Sequence, residues 1–328
     1  MQKRPILTFN HHESYLCALA GLDEKFDVVT RYKDLDLGWN IRARSVPPNM
    51  TLRSFDEIKN GLRQDRYQTV ICHTIKTLFW LLPYRRKNLV FVEHIPLFKN
   101  TLMQRMKGAG KRGILLFWQK VFGARVVAIT DYKKESWAID AVVAKNFPVP
   151  FPSELIAREK SIEVRGAYVG NRIKERGTEL GWPLLESLLP HAPLLVLGNN
   201  PQIPGAYVPK DFKDFVEQFT RCHFYIYPIE AQDGDGFNLS MLEAMQLGLA
   251  VVTIKNPTSP IQHEVNGLVA RDGAEMITQI QRLCDDASLR QRLGAEARRT
   301  IEQEFSPRSF LQVWARVLAE IPQNGVPS

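Results

Sequence analysis

Short apolar runs recur along the chain, separated by stretches whose apolar residues return every three or four positions. In the first half the runs are PILTF (5–9), FDVVTRY (26–32), YQTVICH (67–73), NLVFVEH (88–94) and ARVVAIT (124–130). Such runs, bounded by turn residues, predict buried strands, and the spaced segments between them predict helices. Ser54 followed by Glu57 before IKNGL is a capping-box pattern and predicts a helix start there. Strands alternating with helices point to a parallel sheet covered on both faces.

The rhythm breaks at NFPVPFPSE (146–154). Prolines at 148, 150 and 152 can continue neither a helix nor a central strand, so the stretch predicts a domain boundary. Strand patterns resume with IEVRGAYVG (162–170), PLLVLG (193–198), HFYIYP (223–228) and LAVVTI (249–254). Helical patterns then start near residues 274, 287 and 307, the last with Ser306 as N-cap and Pro307 at the first helical position. The expected division is 1–148, 149–305 and a closing helix in 306–328 that packs back on the first domain. Both large pieces read as Rossmann-like, with ligands expected where strand C-termini meet across a cleft.

Length supports two domains, because 328 residues can bury two cores. No apolar run approaches the roughly 18 residues of a membrane span, and MQKRPILTFNHHES lacks the apolar core of a signal peptide. Cys17, Cys72, Cys222 and Cys284 form no CxxC pair and read as free thiols of a reducing, cytoplasmic compartment. The net charge of +8 is uneven. Residues 1–150 hold 25 Lys and Arg against 13 Asp and Glu, and the remainder holds 18 against 22. The basic half predicts an acidic partner: a membrane surface, a polyanionic acceptor or nucleic acid. It shows no recognised nucleic-acid motif, so nucleic acid is not expected.

The densest chemistry lies at DGFNLSMLEAMQLG (235–248). Glycines 234 and 236 let the backbone come close to a ligand. A helix predicted from Phe237 or Asn238 would turn its free amides and positive dipole end toward phosphate oxygens. Gly236 and Glu243 are seven residues apart, which puts them on one side of a helix that includes both. Glu243 is then placed to accept hydrogen bonds from a ribose. The residues alone leave open a plain tight turn with a capping or ion-paired glutamate.

DGFNLSMLEAMQLGLAVVTI resembles the E-G-F-G-x-x-x-x-E-A-M-A-x-G-x-P-V-V segment of retaining GT-B glycosyltransferases of the large family 4 type. SPIQHEVNGLVA (259–270), LCDDASLRQRLGAEARRTIEQEFS (283–306) and YVGNRIKERG (168–177) continue the likeness in order, over roughly 165–320. The resemblance implies the GT-B fold and a nucleotide-diphosphate sugar as donor, with no metal or other cofactor. Glu243 would bind the donor ribose, and Asp235, in place of the family's glutamate, the donor sugar. The amides of Gly236, Phe237, Asn238 and Leu239 would hold sugar and diphosphate. After Gly170 the family places Arg one residue on and Lys six residues on; this chain has Asn171 and Arg176 there, with Arg172 and Lys174 alongside. Arg172 and Arg176 are the expected phosphate cations, with Lys174 in reserve. The DGD at 233–235 superficially resembles a metal-binding DxD but falls inside the Gly-Phe turn.

In the first half only His94, at the end of LVFVEHIPL, carries over from the family's HD pair, and Ile95 replaces the aspartate. Domain closure would bring His94 over the sugar. His11, His12 and Glu13 occupy the loop after the first strand, where many members have a glycine pair, and are acceptor-side candidates. LLPYRRKN (81–88) and the segment 99–125 mix large apolar with basic residues, the composition of an interfacial segment. There Leu102, Met103, Met106, Ile114, Leu115, Phe117, Trp118 and Phe122 would line one face. The expectation is therefore a retaining, metal-independent transferase acting on a glycan or lipid-linked acceptor, cytoplasmic and peripheral to an anionic membrane. Two alternatives stand beside it: a sugar-nucleotide epimerase or hydrolase on the same fold, and a degenerate polyanion-binding protein.

Overall fold

The computed structural model describes residues 3–32, 35–84, 88–97, 101–157, 159–232 and 234–321. Arg85, Arg86, Lys87, Lys99, Asn100 and Asp233, named above within sequence segments, lie outside these. The chain divides into two compact units. The first comprises Met1–Asn146 with Pro307–Ser328, the second Phe147–Ser306.

The first unit runs β1 (Ile6–Phe9), α1 (Glu13–Leu19), β2 (Phe26–Tyr32), β3 (Leu35–Asp36), β4 (Met50–Ser54), α2 (Phe55–Arg63), β5 (Thr69–Cys72), α3 (Ile75–Leu81), β6 (Leu89–Glu93), α4 (Leu102–Phe122), β7 (Arg125–Ala128), α5 (Asp131–Trp137) and β8 (Val142–Val143). The sheet order is β3-β2-β1-β5-β6-β7-β8, with β4 also on β2, and all pairs are parallel except β2 with β3. The order reverses at β1, which has β2 on one side and β5 on the other. That is the switch point where a strand-end crevice opens. β1, β5 and β6 are buried at every residue because helices cover both faces. Ser54 and Glu57 form the expected capping box of α2.

The second unit runs β9 (Gly166–Val169), α6 (Ile173–Arg176), α7 (Trp182–Leu188), β10 (Leu194–Leu197), α8 (Phe212–Thr220), β11 (Phe224–Tyr227), α9 (Leu239–Gln246), β12 (Ala250–Ile254), β13 (Leu268–Ala270), α10 (Gly273–Asp285) and α11 (Ala287–Glu304). Its sheet is parallel throughout, in the order β10-β9-β11-β12-β13. The final helix, α12 (Pro307–Ala319), belongs to the first unit, where Phe310 meets the Tyr15 ring edge-on at 5.8 Å.

Candidate active site

In the second unit, the loops after β9 and β10 are zipped together. Asn200, 2% exposed, donates to the Gly170 carbonyl at 2.7 Å and accepts from the Ile173 amide at 2.9 Å. The Asn171 side chain accepts from the Asn199 amide at 2.7 Å, and the Arg172 amide donates to the Asn199 carbonyl at 2.9 Å. A Cβ on Gly198, at φ +130°, would lie 2.2 Å from the Gly170 carbonyl oxygen, so only glycine allows this approach. Asn171, at the position of the family's arginine, thus closes the loop instead of reaching a ligand.

The zipper forces Arg172 into the left-handed region at φ 55°, ψ 43°, which costs a side-chain-bearing residue about 1–2 kcal/mol. Its guanidinium is exposed and has no side-chain partner among the described residues. The other two cations are engaged. Arg176 pairs with Glu179 at 3.4 Å, and Lys174 sits 5.2 Å from the Trp182 ring centre. The Arg176–Glu179 pair is exposed and weak, so a polyanion displaces it at little cost. The charge of Arg176 also reaches the buried Tyr168 phenol and opposes the rise that burial causes there.

Facing this loop in the same sheet, β11 carries Tyr225 and Tyr227 on one side, as the two-residue period of a strand requires. Both phenols are pushed far above their ordinary value, first by burial and then by the neighbouring Tyr168 phenol; Glu243 adds a smaller push on Tyr225, and Tyr225 and then Asp235 on Tyr227. Tyr227 also donates its hydroxyl to the Asp235 carbonyl at 3.0 Å. The structure therefore brings Asp235 and Glu243, 7% and 3% exposed, to one tyrosine-lined wall. Ordinary packing seldom buries two carboxylates this way.

The Gly-Phe turn differs from the sequence expectation in one respect. Helix α9 begins at Leu239, not at Phe237, because Asn238 is extended (φ −136°) and its side chain caps the Met241 amide at 2.8 Å. Gly236 lies ahead of the helix, so the shared-face argument with Glu243 does not hold. Its amide donates to Thr258 Oγ1 at 2.7 Å, which in turn donates to Asn256 Oδ1 at 2.9 Å. A Cβ on Gly236 would lie 2.3 Å from the Ser259 nitrogen, so the close approach of the 256–259 turn already requires a glycine. Phe237 packs against the Phe305 ring at 5.7 Å. What remains for an anion is the start of α9, where the Leu239 and Ser240 amides have no acceptor among the described residues. Sequence reasoning missed Asn200, Tyr225, Tyr227, Asn256 and Thr258. Asn256 and Thr258 had a signal, NPTSP directly after a strand, which is turn chemistry at the strand's C-terminal edge.

In the first unit, the strand ends at the switch point gather histidines. His73 follows β5 and His94 follows β6, and His73 Nδ1 and His94 Nε2 are 2.9 Å apart. His73 Nε2 lies 2.9 Å from the hydroxyl of Thr8, on β1. The His11 ring centre is 5.0 Å from that of His94, and the Tyr15 ring abuts His94 edge-on at 4.7 Å. Burial holds both His73 and His94 well below the ordinary histidine value, and the surrounding histidines and, at His94, Lys133 push the same way. Both rings are thus neutral near pH 7. Beside them Glu93 is 1% exposed, and among the described residues neither of its carboxylate oxygens has a hydrogen bond; burial raises it to about 8, against the opposing charge of buried Lys133.

His11 and His12 are exposed at the mouth of this group, His12 as the N-cap residue of α1. Glu13 anchors this loop: its Oε1 accepts from the Asn10 side chain at 3.1 Å and the Asn40 amide at 3.0 Å. Thr8, His73, Lys133 and Glu93 were missed. His73 had a signal, since it ends an apolar run as His94 does.

On helix α4, Leu102, Met103, Met106, Phe117 and Val121 are at least half exposed. Leu115 and Trp118 are core residues at 0% and 2%, which removes them from the expected lipid-facing set; Ile114 and Phe122 pack against that core. Leu82, Pro83, Phe117, Val121 and Phe122 line a cavity of about 680 Å³. Arg105, Lys107, Lys111 and Lys120 are exposed on the same helix. No helix among the described residues is long and apolar enough to cross a membrane.

Residues 183–286 match the family model described as Glycosyl transferases group 1. The matched stretch runs from α7 through α10 and so includes both buried carboxylates. Solved structures of GT-B glycosyltransferases share the whole fold. Anabaena HepE in complex with UDP and glucose is 14% identical with a TM-score of 0.68, over 97% of this chain and 100% of that one. A glycosyltransferase from Rickettsia africae is 12% identical with a TM-score of 0.63, over 99% and 100%. TarM is 15% identical with a TM-score of 0.59; there the match covers 79% of this chain but only 57% of TarM. No curated protein sequence matches the chain. The solved structures show the fold, and the family model adds a match to 183–286, the stretch that holds Asp235 and Glu243.

Proposed function

We propose that this protein is a retaining, metal-independent glycosyltransferase that moves a sugar from a nucleotide-diphosphate donor to a hydroxyl of a glycan or lipid-linked acceptor. The observation that carries the reading is the pair of buried carboxylates, Asp235 and Glu243, on one wall of the stretch that matches the family model, beside the loop that presents Arg172. Glu243 takes the ribose hydroxyls and Asp235 the donor sugar. Arg172, Arg176 once released from Glu179, and the first amides of α9 neutralise the charge that develops on the departing diphosphate. The departing phosphate oxygen takes the acceptor's proton, so the reaction needs no protein base. HepE has been captured with UDP and with UDP-glucose, which makes uridine the first base to try.

Calorimetry with UDP, GDP, ADP and CMP on the wild type and Glu243→Ala tests this. Tight binding of one nucleotide diphosphate, lost in the variant, supports the donor site; a folded protein that binds none of them refutes it. Incubation with the matching nucleotide sugar then separates transfer from epimerisation or simple hydrolysis by the products formed.

In the same reading the protein works at the cytoplasmic face of a membrane, with α4 as its contact. Exposed Leu102, Met103 and Met106 alternate with Arg105 and Lys107, which suits apolar insertion between anionic headgroups. Co-sedimentation with vesicles containing phosphatidylglycerol should fall severalfold in Met103→Glu/Met106→Glu, and binding equal to wild type would remove the membrane from the reading.

A further inference from the structure

We propose that Thr8 and His73 are positioning residues that fix the tautomer of His94, so that its Nδ1–H is offered as a hydrogen-bond donor to a carbohydrate oxygen. The inference rests on the functional reading above for the identity of that oxygen, but the tautomer itself follows from the first unit alone.

Thr8 is fully buried, and His73 Nε2 is the partner of its hydroxyl among the described residues. A hydroxyl has one proton to donate. If Thr8 donates it, His73 Nε2 is the acceptor and carries no hydrogen. A neutral His73 then bears its hydrogen on Nδ1 and donates it to His94 Nε2, 2.9 Å away. His94 Nε2 is thereby an acceptor, and a neutral His94 bears its own hydrogen on Nδ1. That nitrogen makes no protein hydrogen bond among the described residues, and His94 is only half-buried.

The reverse polarity has a specific cost. If His94 Nε2–H donates to His73 Nδ1, then His73 Nε2–H donates to Thr8 Oγ1, and the buried hydroxyl proton is left without an acceptor. An unsatisfied buried donor costs about 1–3 kcal/mol, enough for one polarity to dominate. Neutrality of both rings makes the accounting complete, because a protonated ring would donate from both nitrogens.

A His94 held this way donates a hydrogen bond and cannot act as a general base through its exposed nitrogen. That agrees with chemistry in which the departing phosphate collects the proton. Neither Thr8 nor His73 reaches the ligand; each acts through the next group in the relay.

The test is nitrogen-15 NMR of the imidazole rings in the full-length protein at pH 7.5, with no nucleotide present. The expected result is hydrogen on Nδ1 and none on Nε2 for both His73 and His94. Free imidazole side chains favour the opposite form, so the pattern is diagnostic. Thr8→Val keeps the shape and removes the hydroxyl, so neither polarity satisfies His73 Nε2 and both rings should shift from the single Nδ1–H form to a mixture of the two forms. Thr8→Ser keeps the donor and should retain it. Wild-type His94 with its hydrogen on Nε2, or a Thr8→Val spectrum identical to wild type, would overturn the proposal. Should Thr8→Val fail to fold, the wild-type and Thr8→Ser spectra decide alone. Nucleotide binding to the second unit should be unchanged in Thr8→Val while kcat falls severalfold. A failed relay is therefore distinguishable from a failed donor site, which Glu243→Ala reports.

Discussion

The strand ends of the two sheets use opposite chemistry. In the second unit they gather charge: two buried carboxylates, three cations and a helix start. In the first they gather neutral rings, His73 and His94 stripped of charge by burial, bonded to each other and, through His73, to Thr8. A charged grip suits a donor whose own charge is fixed, a diphosphate on a ribose. A neutral hydrogen-bonding edge suits sugar hydroxyls, which carry no charge to attract.

The comparison breaks most readily at Glu243. Glu243→Ala should weaken nucleotide-diphosphate binding by roughly 30–100-fold in calorimetry, since hydrogen bonds to a buried carboxylate are worth about 2–3 kcal/mol. An unchanged affinity would move the donor site elsewhere.

The first unit should answer to pH instead. His73 and His94 have lowered values, so the unfolded chain takes up their protons below about 6.5 and stability falls on acidification. Glu93 has a raised value, so the native state alone holds its proton between about 4.5 and 8 and stability falls as pH rises through that window. Below 6.5 two histidines outweigh one carboxyl; above it Glu93 acts alone. Urea denaturation should find the contribution of these groups greatest near pH 6.5, with a loss of about 2 kcal/mol by pH 8. Glu93→Gln should flatten the alkaline limb and leave the acid limb.

Smaller effects sharpen the contrast. Arg172→Gly should stabilise the fold by about 1 kcal/mol by relieving the left-handed residue, yet weaken diphosphate binding roughly tenfold. Stability and affinity moving together would separate Arg172 from the phosphate. Asn238→Ala should cost about 1 kcal/mol by thermal denaturation through loss of the α9 cap.

The same contrast governs what could be read along the chain. Asp235 and Glu243 lie within one short segment and stand out there, and the basic trio comes forward through the resemblance of 168–177 to the family segment. The Thr8–His73–His94 relay spans 86 residues in order, from β1 through β5 to β6, and exists only because those strands pair side by side. Apolar runs foretold nine strands, but not the short β3, β8 and β13, nor β4. Its Thr51 and Leu52 are exposed on the outside of β2, so no apolar run marks it. The α9 start was expected one or two residues early because Asn238 has more to gain as a cap than as a helical residue.

The return of α12 to the first unit sets an order of events at birth. Phe310 against Tyr15, Leu311 against Gly21 and Arg125 with Glu320 join the two ends of the chain across the whole of the second unit. A ribosome must make the 160 residues from Phe147 to Ser306 before the first unit can be completed. At synthesis rates of about 5–20 residues per second, that is a wait of roughly 10–30 s. Through that interval the nascent first unit keeps open the site where Phe310 will dock. The second unit, continuous in sequence, can finish first.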